Sequence, residues 1–162
     1  MRTLIVYQSE YGNTESLARA MGEALSEHGE VRVTPVGETS GLGYHDVDLL
    51  IVGAPTQRHG LPADTRDMLD GVPEGTLRNV AALAFDTRYR GSRWIRGSAA
   101  RDIHGILRDL GCRLLAQPES FFVAGEEGPL EPGEEDRARS WALKALGRPE
   151  PGVSGHRGDQ EP

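Results

Sequence analysis

Three short stretches of this sequence carry side chains whose types and spacing suit chemistry. The first is S-E-Y-G-N-T, Ser9–Glu10–Tyr11–Gly12–Asn13–Thr14, set between an apolar run and a helical pattern. A phosphate monoester at such a junction would meet successive backbone N–H groups, two hydroxyls, an asparagine amide and the positive end of a helix dipole. Gly12 permits positive φ and a close backbone approach. The stretch has no lysine and demands no metal, which suits a singly esterified phosphate better than a triphosphate. A plain helix cap, with Asn13 or Thr14 satisfying N–H groups, fits the same residues.

The other two stretches are G-A-P-T-Q-R-H-G, Gly53–Gly60, and F-D-T-R-Y-R-G-S-R-W, Phe85–Trp94. Leaving neighbouring sheet positions, they are expected to form the two walls of a slot. Tyr89 and Trp94 suit stacking on a planar ring, and backbone groups of Thr56–His59 suit its heteroatoms. The bland readings stay open beside these. An isolated tryptophan near a helix start fits packing, Arg88, Arg90, Arg93 and Arg96 fit a solvated charge run, and His59 fits an exposed loop histidine as well as a proton donor.

The elements around these stretches alternate. Thr3–Gln8 is a short β-branched run suited to a strand buried on both faces. From Asn13 the period changes, with Leu17, Met21 and Leu25 every four residues and Gly29 closing a helix. Val31–Val36, Asp48–Gly53 and Val80–Phe85 read as further strands, and Gly37–Val47 as a loop. Pro62–Asp70 predicts a short helix with proline in its first turn. Ile103, Ile106, Leu107 and Leu110 trace one face of another, ending at Gly111. Arg113–Ala116 and Ser120–Ala124 supply a fifth strand bent at Pro118. Ala138, Trp141, Ala142 and Ala145 mark a last helix with Glu134, Glu135 and Asp136 at its positive end. Residues 148–162 offer almost nothing to bury and are expected to be a disordered tail after a single domain over residues 1–147. Five strands alternating with helices predict an α/β fold, a parallel sheet covered on both sides. Ligands of such sheets bind beyond the carboxyl ends of the strands, which is where all three unusual stretches fall.

Composition narrows the class. The chain has 162 residues, enough for one domain, with 37% hydrophobic and 27% charged residues. No apolar run approaches the ~20 residues of a membrane span, and Met1–Arg2 leads directly into a strand. Cys112 is the single cysteine, so an internal disulfide is excluded and a reducing cytoplasm is expected. A net charge of −7 disfavours nonspecific nucleic-acid and anionic-membrane binding. A P-loop NTPase needs G-x-x-x-x-G-K-[ST], which is absent. A receiver domain needs an acidic pair after the first strand and an aspartate ending the third, where Glu10 stands alone and Gly53 ends the strand. Gly41–Leu42–Gly43 lacks the third glycine of a dinucleotide fingerprint, and no Ser or Cys sits in a nucleophile elbow.

The strand followed by S-E-Y-G-N-T resembles the FMN phosphate loop of the flavodoxin family, T/S-x-T-G-x-T. V-G-A-P-T at Val52–Thr56 resembles the second flavin loop, and F-D-T-R at Phe85–Arg88 before a glycine–alanine helix resembles the third. The resemblance spans about Arg2–Leu146. It implies a flavodoxin-like three-layer sandwich with a five-stranded parallel sheet in the order 2-1-3-4-5. It further implies that Ser9, Tyr11, Gly12, Asn13 and Thr14, with Glu10 among them, hold the phosphate of FMN. Pro55, Thr56, Gln57, Arg58, His59, Asp86, Thr87, Arg88, Tyr89 and Trp94 would then border ribityl or isoalloxazine.

Two departures bear on function. Tyr11 stands where the family pattern has threonine, as in several flavodoxin-like quinone reductases and protoporphyrinogen oxidases. Arginines stand where carrier flavodoxins have an acidic third loop. The implied function is FMN-dependent electron transfer to a redox partner protein. The alternative is a small FMN-dependent oxidoreductase, of the quinone-reductase or protoporphyrinogen-oxidase type, acting on a quinone-like small molecule.

Overall fold

The computed structural model describes residues 1–58, 60–90 and 97–147. In chain order the elements are β1 (Arg2–Tyr7), α1 (Asn13–Leu25), β2 (Glu30–Pro35), β3 (Leu49–Pro55), α2 (Ala63–Asp70), β4 (Ala81–Tyr89), α3 (Ala99–Asp109), β5 (Arg113–Leu114), β6 (Glu119–Val123) and α4 (Glu134–Ala145). His59 and Trp94, the arginines at 93 and 96, and the expected tail lie outside the described residues.

Strand side chains alternate between faces, and the core divides accordingly. Leu4, Val6, Leu50, Val52, Ala82 and Ala84 pack with Leu69 of α2 and Ile103 and Leu107 of α3. Ile5, Tyr7, Leu49, Ile51, Leu83 and Phe85 pack with Leu17 and Met21 of α1 and Ala138 and Leu143 of α4. The result is the three-layer arrangement, all strand pairs parallel, in the order β2-β1-β3-β4-β5 with β6 also beside β4.

The fifth sheet position is occupied by two pieces. Arg113–Leu114 pairs with Ala81–Ala82, and Glu119–Val123 pairs with Phe85–Tyr89. Pro118, which cannot donate to a ladder, lies in the gap between them. β3 and β4 run further than their apolar runs, because backbone pairing continues where the side chains turn polar. Ala54 pairs with Asp86 and Pro55 with Thr87, and β6 carries β4 on to Tyr89. These extensions bring the second and third loops out side by side at the carboxyl edge. Pro62 precedes the short helix rather than opening it, with ψ 146° at the cap position.

Candidate functional site

The first loop is built by Ser9 and Gly12. Gly12 sits at φ 91°, in the left-handed region, directly before α1, and nothing lies within 4 Å of the place where a Cβ would stand. The Ser9 hydroxyl accepts from Gly12 N at 3.1 Å and from Glu15 N at 3.4 Å, so it caps the helix from outside it. Among the described residues, the N–H groups of Tyr11, Asn13 and Thr14 have no acceptor. Free N–H groups at a helix N-terminus beside open space fit a phosphate monoester.

The polar side chains of the loop are partly spoken for. Thr14 Oγ1 and Thr87 Oγ1 lie 2.9 Å apart and share a buried hydrogen bond, which leaves one hydroxyl proton between them for a ligand. Asn13 Nδ2 donates to the carbonyl of Glu127 at 3.1 Å, so the amide ties the first loop to the segment after β6. Ser9 accepts two N–H bonds and keeps its own proton to donate.

The second loop is a tight reversal. Gln57 and Gly60 exchange both backbone hydrogen bonds, at 3.0 and 2.9 Å, with Gly60 at φ 90°. Its entry is fixed by Thr56 N donating to Thr87 O at 2.9 Å, and its exit by Leu61 N donating to Asp102 at 3.1 Å. The third loop leaves β4 at Tyr89 and returns at Ser98, whose hydroxyl caps α3.

The first two loops, the carboxyl end of β4 and the segment after β6 enclose one cleft of about 480 Å³. Ser9, Glu10, Tyr11, Asn13 and Thr14 line it from the first loop and the start of α1, Pro55, Thr56, Gln57 and Arg58 from the end of β3 and the second loop, and Thr87, Arg88 and Tyr89 from the end of β4. That volume is in the range of a cofactor site. Asp86 is elsewhere: it is fully buried behind the cleft, its Oδ2 accepting from Thr56, Ser98 and Ala100.

Val123 and Glu126 also line the cleft, and the sequence reading did not single them out. The signal was available, since the fifth strand ends at the same sheet edge and Val123 is in register with Tyr89.

The rim is electrically two-sided. Glu10, Glu126 and Glu127 surround the exposed Tyr11, and the charge of Glu10 above all pushes its phenol pKa up. Arg58 and Arg88 line the opposite walls. Arg90 is otherwise engaged, bonded to Glu131 at 3.1 Å with its guanidinium 3.7 Å over the Phe122 ring.

Comparison with known proteins agrees with this architecture. Similar solved structures include a flavodoxin from the domain Archaea, with TM-score 0.74 and 16% identity over 91% of this chain and 97% of that one. Flavodoxin 1 from Bacillus cereus gives TM-score 0.74 and 17% identity over 91% and 98%. The flavodiiron protein from Giardia intestinalis gives 0.69 and 19% over 90% of this chain but only 36% of its own. These likenesses show the fold. No curated protein matches the chain by sequence. The flavodoxin family model matches residues 5–141, nearly the whole of the described chain, and the chain therefore belongs to the flavodoxin family, whose cofactor is FMN.

Proposed function

We propose that the protein is an electron carrier that holds FMN in this cleft and exchanges electrons with a redox partner protein. The observation that carries the reading is the convergence of two strand-end loops and the end of β4 on one cleft, with N–H groups of Tyr11, Asn13 and Thr14 that have no acceptor among the described residues at one end. Those groups, with the protons of Ser9 and of the Thr14–Thr87 pair, would hold the phosphate. Pro55–Arg58 and Thr87–Tyr89 would flank the ring. Bound FMN supplies one- and two-electron transfer between partners. Tyr11, Glu126 and Arg88, at the open rim, would meet a docking protein.

The arginines on the ring walls favour a second reading, a small oxidoreductase whose acceptor is quinone-like. One experiment separates the two. Protein reconstituted with FMN is mixed with NAD(P)H and a soluble quinone, alone and with a separate flavodoxin reductase. A carrier shows turnover only with the reductase, and direct turnover supports the oxidoreductase. Failure of excess FMN to change either the melting temperature or flavin fluorescence would overturn both.

A further inference from the structure

We infer that Asp86 is a positioning residue that couples the second and third flavin loops without touching the flavin. Its side chain is fully buried, and Oδ2 alone takes three hydrogen bonds. Thr56 Oγ1 donates at 2.7 Å from the second loop, Ser98 Oγ at 2.7 Å from the return of the third, and Ala100 N at 3.1 Å from the first turn of α3. Thr56 closes the ring of contacts by accepting from Ala99 N at 2.9 Å. One carboxylate oxygen therefore fixes the entry of one loop relative to the exit of the other.

Asp86 Oδ1 is also buried and has no partner among the described residues. A carboxylate with one oxygen unsatisfied is a poor choice for stability alone, because its desolvation is only partly compensated. The arrangement makes sense if the separation of the two loops is what matters. Thr56 lines the cleft and Asp86 is in register with Ala54 on β3, so a shift at Asp86 moves the wall that Thr56 presents. Among the described residues, the phosphate loop makes no hydrogen bond to Asp86, Thr56 or Ser98, and its tie to β4 is the bond between Thr14 and Thr87.

The inference rests on the reading of the cleft as an FMN site, and its test separates the two. Asp86→Asn, Asp86→Ala and Thr56→Val are purified as apoproteins, and each is titrated with FMN and with riboflavin, which lacks the phosphate. For Asp86→Ala and Thr56→Val, loss of a hydrogen bond to a charged group predicts affinity weakened about tenfold or more, by the same factor for both ligands. The double variant Asp86→Ala/Thr56→Val should lose less than the product of the two single losses, since both remove the Thr56–Asp86 hydrogen bond. Asp86→Asn is isosteric and its carbonyl can take the place of Oδ2, so it should bind nearer to wild type than Asp86→Ala does, and Thr56→Val remains informative if Asp86→Ala does not fold. If Asp86→Ala, or Thr56→Val where Asp86→Ala does not fold, lowers the apoprotein melting temperature yet binds both ligands as wild type does, Asp86 is merely structural and the inference fails. If FMN affinity falls and riboflavin affinity does not, the residue acts through the phosphate loop, which also overturns it. Wild-type protein that binds neither ligand refutes the FMN reading itself.

Discussion

The far edge of the Phe85 ring occupies the place where a side chain on Gly53 would stand. The two residues are in register on β3 and β4, and Cζ, Cε1 and Cε2 of the ring all crowd that position. The ring has nowhere to retreat. It is fully buried and meets Phe121 and Trp141 edge-on, with centroids 6.0 and 6.4 Å away. The glycine of V-G-A-P-T is thus set by core packing one step below the flavin loop. Gly53→Ala should destabilise by about 1–3 kcal/mol, the usual cost of overpacking a core. Phe85→Leu alone should also destabilise, and the double variant should recover part of the loss. Urea unfolding of the four proteins checks this, and additive losses would show that the two side chains do not compete.

The phosphate loop makes a second prediction. Gly12→Val places a β-branched residue at φ 91°, a region such residues avoid, in a loop whose N–H groups must stay aligned. Thr14→Ala leaves the Thr87 hydroxyl without its partner. Both should weaken FMN more than riboflavin, by about tenfold for Thr14→Ala if one hydrogen bond to a charged group is lost. Equal losses for the two ligands would mean that the loop does not hold phosphate.

How much of this was legible in the sequence follows from how local each interaction is. Ser9, Gly12 and the start of α1 are neighbours in the chain, so strand, turn and helix signals located the loop directly. The Asn13 amide reads as a phosphate donor in the sequence, but its acceptor is the carbonyl of Glu127, 114 residues away. Asp86 reads as a loop residue because the apolar run stops at Phe85. Pairing with Ala54 and with Ser120 keeps it in the sheet, and its partner Thr56 is 30 residues distant. The order of the sheet is set by crossovers rather than by any window of residues, and it came from the family resemblance.

The clip between α4 and β6 predicts a pH dependence. Glu134 is buried, accepting from Phe122 N at 2.8 Å and from Arg137 Nη2 at 2.8 Å, and Arg137 also reaches Glu119 at 2.8 Å. The Arg137 hydrogen bond, followed by that of Phe122 N against the opposing effect of burial, holds the Glu134 carboxyl below its ordinary range. A depressed folded-state pKa stabilises the protein above the unfolded value, near ~4.3, and that contribution is lost as pH falls through the folded value. Glu134→Gln should therefore cost about 1–3 kcal/mol at pH 7, with the gap to wild type closing as pH drops below ~4. Melting curves of both proteins from neutral to acid pH test this. A gap that persists unchanged at low pH would assign the loss to shape, not charge.

The last prediction sorts the arginines by where the fold puts them. Carrier flavodoxins surround their flavin with acids, which disfavour the negative charge gained on reduction. Here Arg58 and Arg88 line the cleft, and among the described residues Arg88 donates only a 3.5 Å hydrogen bond to Gly97 O. Arg90, two residues on, is held by Glu131 and Phe122. A guanidinium at ~6 Å with an effective dielectric constant of ~20 favours an anion by roughly 3 kcal/mol before screening. Exposure and counter-charges, Glu10 and Glu126 among them, reduce this to a fraction. Even ~1 kcal/mol is about 40 mV for a one-electron step. Arg88→Gln and Arg58→Gln should therefore lower the flavin potential by tens of millivolts at low salt, and by less at high salt. Arg90→Gln should leave it nearly unchanged, because Glu131 already neutralises that charge locally. Redox titration of the FMN-loaded variants at two ionic strengths provides the comparison. If Arg90→Gln shifts the potential as much as Arg88→Gln, long-range net charge governs it. If none of the three shifts it while FMN stays bound, these arginines are a solvated surface with no part in setting the electron affinity of the site.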